Sequence, residues 1–133
     1  MHNGMILFKK HVKKEILPEI FQQIQGSTDS ELFFALWISM YYKLHEGGTL
    51  EEALQKACTW ILPESLMNLV LFDRQTDVLY VYRGKNHSKE VPPIYITQEG
   101  ISNFKTKEKY TILPKNTLFI RTKKKNLSKP MFL

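Results

Sequence analysis

The chain has 133 residues and a mass of 15.7 kDa, is 43% apolar and 24% charged, and carries six Gly and six Pro, a composition of compact globular domains and not of disordered or collagen-like chains. Its single cysteine, Cys58, excludes an internal disulfide framework and a multi-cysteine zinc site. No uninterrupted apolar stretch reaches the roughly 18 to 20 residues of a membrane span, and Lys9, Lys10, Lys13 and Lys14 follow the apolar group Met5 to Phe8, the reverse of the order in a secretory signal.

These features predict one cytoplasmic domain with no membrane attachment, residues 1–63 forming a helical layer, 64–122 an antiparallel sheet and 123–133 a basic tail. Phe8, Val12, Ile16, Ile20 and Ile24 recur every fourth residue, which predicts one apolar helical stripe from about Met5 to Gln25. Pro18 lacks the N–H that would bond back to Lys14, so the stripe is either one kinked helix or two. Gly26 is read as its end. Thr28 and Glu31 have the spacing of a capping box and open a second helix that runs to about Glu46. That helix has almost no polar face between Leu32 and Leu44, so it must be covered on more than one side. Gly47 and Gly48 stop it. Thr49 and Glu52 repeat the capping-box spacing, and a third helix follows from about Leu50 to Ile61, ended by Pro63.

From Leu69 the period becomes two. Leu69 to Phe72 and Val78 to Tyr82 read as a hairpin around the polar turn Asp73 to Asp77. In the return strand Val78, Tyr80 and Tyr82 share one face while Leu79 and Val81 share the other, so both faces are partly covered. Ile94 to Thr97 reads as a short strand. Tyr110 to Leu113 and Thr117 to Thr122 read as two more, joined by Pro114, Lys115 and Asn116 as a hairpin. Met131, Phe132 and Leu133 are expected to add an edge strand. Helices followed by a meander of strands predict an α+β domain, with N-terminal helices packed on a C-terminal antiparallel sheet.

Residues from about Glu31 to Leu113 resemble the GAF domain, a sensory and regulatory module. The resemblance rests on the apolar helix, on Thr49-Leu50-Glu51-Glu52-Ala53-Leu54, on the hairpin Leu69 to Asp73 with Val78 to Val81, and on Gln98-Glu99-Gly100-Ile101 before Tyr110 to Leu113. It implies that Glu99, Gly100 and Ile101 begin a pocket wall. The run Lys123-Lys124-Lys125 departs from the family, which has pocket-forming sequence there.

Catalytic constellations are not evident in the sequence. His2, His11, His45 and His87 are far apart and none has zinc-ligand spacing, Cys58 reads as a small core residue, and Gly84-Lys85 lacks the pattern of a phosphate loop. No metal and no cofactor is expected. Asp73 and Asp77 flank a turn, where Asp is favoured by bonding to nearby backbone.

Two binding roles follow. The first is a non-catalytic regulatory or sensory domain, in which Tyr80, Tyr82, Tyr95 and Phe104, with Glu99 and Gly100, line a small-molecule pocket, and Phe33, Phe34, Trp37 and Tyr41 make a homodimer or a contact with a partner protein. The alternative is nucleic-acid binding by the basic half. Residues 1–65 sum to −2 and residues 66–133 to +8 within a net charge of +6, and clustered cations attract phosphates. Lys105, Lys107, Lys109, Lys115, Arg121, Lys123, Lys124 and Lys125 would supply that surface, with Tyr110 and Phe119 as stacking rings.

Overall fold

The computed structural model describes residues 2–26, 28–84, 93–97 and 110–131. In chain order they form β1 (His2–Asn3), a 3-10 turn at Val12–Glu15, α1 (Pro18–Phe21), α2 (Asp29–Lys43), α3 (Leu50–Cys58), β2 (Met67–Asp73), β3 (Val78–Gly84), β4 (Tyr95–Thr97), β5 (Tyr110–Ile112), β6 (Thr117–Arg121) and β7 (Asn126–Pro130). This is the expected α+β architecture, with the helices packed against an antiparallel sheet.

The first apolar stripe does not become a long helix. Residues 5 to 9 run extended because their backbone groups bond to the segment after α3: Leu62 N–H donates to Leu7 O at 2.8 Å, Leu66 N–H to Met5 O at 2.8 Å and Lys9 N–H to Trp60 O at 2.9 Å. Only the 3-10 turn and the four-residue α1 are helical, with Pro18 in the first position of α1, where its missing N–H costs nothing. Ile6, Val12 and Ile16 still reach the core.

Both helix starts are capped by the threonine hydroxyl, the first half of each capping box. Thr28 Oγ1 accepts from Glu31 N–H at 3.3 Å, and Thr49 Oγ1 from Glu52 N–H at 3.1 Å. The Glu31 carboxylate reaches beyond its cap and accepts from Gln25 N–H and Gly26 N–H at 2.8 and 3.0 Å, so Gly26 serves as a donor to α2 and not as a left-handed end to α1. α2 stops at Lys43, three residues earlier than Glu46, and Gly47 turns the chain at φ 88°, a conformation that glycine adopts without steric cost. α3 likewise stops at Cys58, and Ile61 instead bridges to Phe8.

The main sheet has the order β1-β2-β3-β6-β7, every neighbour antiparallel. Alternation sorts its side chains into two apolar sets. Leu69, Leu71, Tyr80, Tyr82, Leu118 and Ile120 face the helical core of Phe33, Leu36, Trp37 and Leu54. Val70, Leu79, Val81 and Phe119 face the other way and pack on Leu113, Ile94 and Ile96. The coverage of both faces of β3 is thus as the sequence indicates. β5 and β6 are not hairpin partners, however. β5 pairs with β4, and β6 lies between β3 and β7. Leu113 N–H donates to Ile94 O at 2.8 Å and Arg83 Nη1 to Leu113 O at 2.7 Å, so these bonds hold the end of β5 in the second layer while Pro114 to Asn116 carry the chain back to the sheet.

The edge strand is β7, earlier in the chain than Met131 to Leu133, and Met131 plugs the core. Thr122 N–H donates to Lys125 O and Met131 N–H to Asn116 O. With that polarity Leu127 and Lys129 turn their backbone groups toward β6, while Asn126, Ser128 and Pro130 turn theirs outward. Phe132 and Leu133 lie outside the described residues.

At the far end of β3 the Tyr82 ring lies across Gly84, and a Cβ on Gly84 would overlap the ring. Tyr82 is fully buried and cannot swing aside. Gly84→Ala is therefore expected to lower the unfolding free energy by about 1–3 kcal/mol, measured by urea denaturation.

Candidate functional site

The N-terminal turn of α2 meets β1 and β2 at a groove of about 310 Å³. One side is polar, with His2, Thr28, Ser30 and Glu31; the other is apolar, with Phe33, Phe34, Trp37 and Leu69 to Leu71. Side-chain bonds fix the polar side. Asp29 Oδ2 accepts from Ile6 N–H at 2.7 Å and Oδ1 from Ser30 N–H at 2.8 Å, which clamps the N-terminal segment onto the helix. His2 places Nε2 3.1 Å from Leu66 O and Nδ1 2.7 Å from Ser30 Oγ. A carbonyl only accepts, so Nε2 carries a proton toward Leu66 O, while the Ser30 hydroxyl stands between His2 Nδ1 and Asp29 Oδ1, the latter at 3.5 Å.

An oriented histidine next to a serine has the spacing of a base and a nucleophile. Here the group that orients the ring is a backbone carbonyl, which brings no negative charge to stabilise an imidazolium. The polar side of the groove presents acceptors, the Glu31 carboxylate and the Ser30 hydroxyl oxygen, that suit an N–H donor, while the apolar side takes an apolar stem. Trp37 is held in place by its Nε1–H, which donates to Leu50 O at 2.7 Å, and by the edge of Tyr80 at 6.4 Å.

The residues expected to line a pocket are not gathered at one place. Tyr82 is a core residue, its hydroxyl 3.4 Å from Met131 O. Tyr80 is half-buried on the helical face of the sheet, whereas Tyr95 is exposed on β4, whose neighbours Ile94 and Ile96 pack on the opposite face. Glu99, Gly100 and Phe104 lie outside the described residues. The dimer set also divides. Phe33 and Trp37 are 1% and 2% exposed, because they form the face of α2 that meets the sheet, so they are not available to a partner; Phe34 and Tyr41 are exposed.

Of the basic set, Lys105, Lys107 and Lys109 lie outside the described residues. Lys115 and the turn Lys123 to Lys125 are exposed. Lys123 pairs with Asp77 at 2.9 Å, and Arg121 donates to Asn126 Oδ1 and lies over the Phe119 ring. Phe119 itself is buried between the sheet and the β4–β5 ribbon, so it offers no stacking surface. Among the described residues no cluster of three or more His, Cys, Asp or Glu is placed to hold a metal, and Cys58 is buried in α3.

The sequence did not single out His2, Asp29 or Ser30. Thr28 to Glu31 read only as a helix cap, and the pairing of residue 2 with residue 30 arises from β1 lying beside β2, which no short-range pattern announces.

Neither a protein-family model nor a curated protein matches the chain in sequence. Among solved structures it is similar to a glutamine aminotransferase class-II domain protein from Silicibacter pomeroyi, with a TM-score of 0.67 and 21% identity, covering 98% of this chain and 66% of that one. The two share a fold. This chain spans just under two thirds of that protein's length.

Burial pushes the Tyr82 phenol above its ordinary value of 10.0, with the nearby Cys58 adding to the rise. Burial also raises Tyr80, with Asp73, Glu51 and Tyr41 adding to it. The unfolded chain therefore releases these protons first, so the stabilisation is complete below about pH 10 and is lost as pH rises further. Urea titrations from pH 8 to 11 are expected to show stability falling above about pH 10, by up to about 1.4 kcal/mol per pH unit for the buried Tyr82 and by less for the half-buried, solvent-screened Tyr80; Tyr82→Phe is expected to flatten that decline.

Proposed function

We propose that the chain is a binding domain for a small free amino acid with an amide side chain, glutamine foremost, held in the groove at the start of α2. The observation that carries the reading is the groove itself: a hydroxyl, an imidazole, a carboxylate and a helix N-terminus face an aromatic wall across about 310 Å³. An amino acid has the complementary parts. Its ammonium and amide N–H groups suit the Glu31 carboxylate and the Ser30 hydroxyl oxygen, and its methylenes suit the exposed ring of Phe34 and the half-buried Leu71. The similarity of almost the whole chain to a structure named for glutamine narrows the choice of amide.

A regulatory role is compatible with this site. Binding without turnover reports a concentration. The buried thiol of Cys58 supports a reducing, cytoplasmic setting.

The test is a thermal melt with added amino acids, followed by Trp fluorescence. L-glutamine at about 10 mM is expected to raise the midpoint by about 3 °C or more and to shift the emission of Trp37, with L-glutamate and L-leucine giving less. Ser30→Leu, which replaces the hydroxyl by a bulky apolar group in the groove, is expected to abolish the response. An equal midpoint with and without glutamine overturns the proposal.

A further inference from the structure

The first half of the chain sums to −2, yet its fold gathers positive charge at one place. Residues 9–14 read Lys-Lys-His-Val-Lys-Lys. The chain leaves its extended run at Lys9, whose N–H donates to Trp60 O, turns at His11 with φ 67°, and enters the 3-10 turn at Val12–Glu15. Val12 and Ile16 are 6% and 4% exposed and pin this turn to the core. With the apolar residues inside, Lys9, Lys10, His11, Lys13 and Lys14 are all exposed. The loop is thus a fixed presentation of four ammonium groups and an imidazole over six residues.

These charges are not balanced within the fold. Glu15 is the only carboxylate in the first eighteen residues, and it is taken by Lys43, whose Nζ lies 3.4 Å from Glu15 Oε2 and also donates to Glu15 O. Among the described residues no ion pair reaches Lys9, Lys10, Lys13 or Lys14. The cations of the second half are differently placed. Lys123 and Lys129 pair with Asp77 and Glu51, Arg121 is bonded to Asn126, and Lys115 stands at the opposite end of β6 from the turn Lys123 to Lys125. Like charges held close together repel one another, so an anion of matching density relieves a repulsion that the fold leaves in place.

We infer that residues 9–14 are a contact for the phosphate backbone of a nucleic-acid duplex. Duplex phosphates supply one charge per about 1.7 Å of axis, a density that engages several neighbouring ammonium groups at once. Lysine is a point charge without the flat fork that selects a particular carboxylate or base edge, and the run holds no Phe, Tyr or Trp ring for stacking, so the contact is with the backbone and independent of base sequence. A bilayer is the poorer fit. Stable attachment there needs a second signal, an apolar group that enters the hydrocarbon, and the one apolar side chain of the run, Val12, is turned inward. The contact is independent of any ligand in the groove at residue 30.

The experiment is fluorescence anisotropy of a labelled DNA duplex of about 20 base pairs with the full chain, from about 50 to about 200 mM NaCl, beside flotation with vesicles rich in phosphatidylserine. Binding at micromolar protein is expected at the lower salt. It is expected to weaken about 100-fold across the range, because four phosphate contacts give a slope of log K against log salt of about −3.6, about −0.9 for each. Lys10→Gln with Lys13→Gln is expected to bring that slope to about −1.8, while Lys124→Gln with Lys125→Gln in the β6–β7 turn leaves it unchanged. All four positions are exposed, and the thermal midpoints of both variants are expected to match that of the parent chain. No anisotropy change at the lower salt, a slope indifferent to Lys10 and Lys13, an equal loss from the Lys124 and Lys125 pair, or capture by the vesicles in place of the duplex overturns the inference.

Discussion

The structure depends on β3 being covered from both sides. Its residues alternate between two apolar sets, Tyr80 and Tyr82 toward the helices and Leu79 and Val81 toward the β4–β5 ribbon, and both sets must leave water for the strand to be stable at the centre of the sheet. Tyr82 concentrates this requirement. Its ring occupies the space a side chain at position 84 would need, and its hydroxyl points to the backbone of Met131, so the end of β3, the edge of the sheet and the helical core meet at one phenol. A polar group in that position is tolerated because the tip has a backbone acceptor while the ring stays among Cys58 and its apolar neighbours.

The same central strand settles where polar groups collect. On its second face, Arg83 stands in register with Asn68 on β2 and Thr117 on β6, all three buried. One turn of the pleat away, Val70, Val81 and Phe119 are wholly apolar. Arg83 uses its guanidinium to hold the Leu113 carbonyl, so the polar row is what attaches the ribbon at its end and the apolar row is what attaches it along its length. On the helical side the division is different. There the buried hydroxyls of Ser39 and Ser65 accept from the backbone N–H groups of Leu17 and Leu7 at 2.9 and 2.8 Å and so fasten the N-terminal segment to the core, and further polar groups gather at the start of α2, where the unpaired N–H groups of a helix must find acceptors in any case.

The sequence conveyed those parts of the fold that local chemistry decides. Thr28 with Glu31 and Thr49 with Glu52 announced two helix starts because a cap is a contact between residues three apart, and the alternation from Leu69 to Tyr82 announced a hairpin because its turn is short. It misled where long-range bonds outweighed local periodicity. Phe8, Val12 and Ile16 have helical spacing, yet residues 5 to 9 pair with residues 60 to 66, and no pattern within the first stretch contains that partner. The separation of β5 from β6 has the same origin: a three-residue link suits a hairpin, but Ile94 and Arg83 hold the end of β5 elsewhere. The candidate groove was illegible for a related reason. His2 and Ser30 are twenty-eight positions apart, and a lone histidine beside a cap residue carries no signal until the strand that holds it is placed.

Pro130 gives the far margin of the molecule a further property. Of the outward-facing positions on β7, only Asn126 and Ser128 present an N–H, because proline has none to offer. Lys129, on the helical side, is tied to Glu51 of α3, which draws that end of the strand inward. An incoming strand would therefore find two donors, then a gap, beside a lysine-rich turn, and the sheet is protected from the edge-to-edge stacking through which exposed strands seed fibrils.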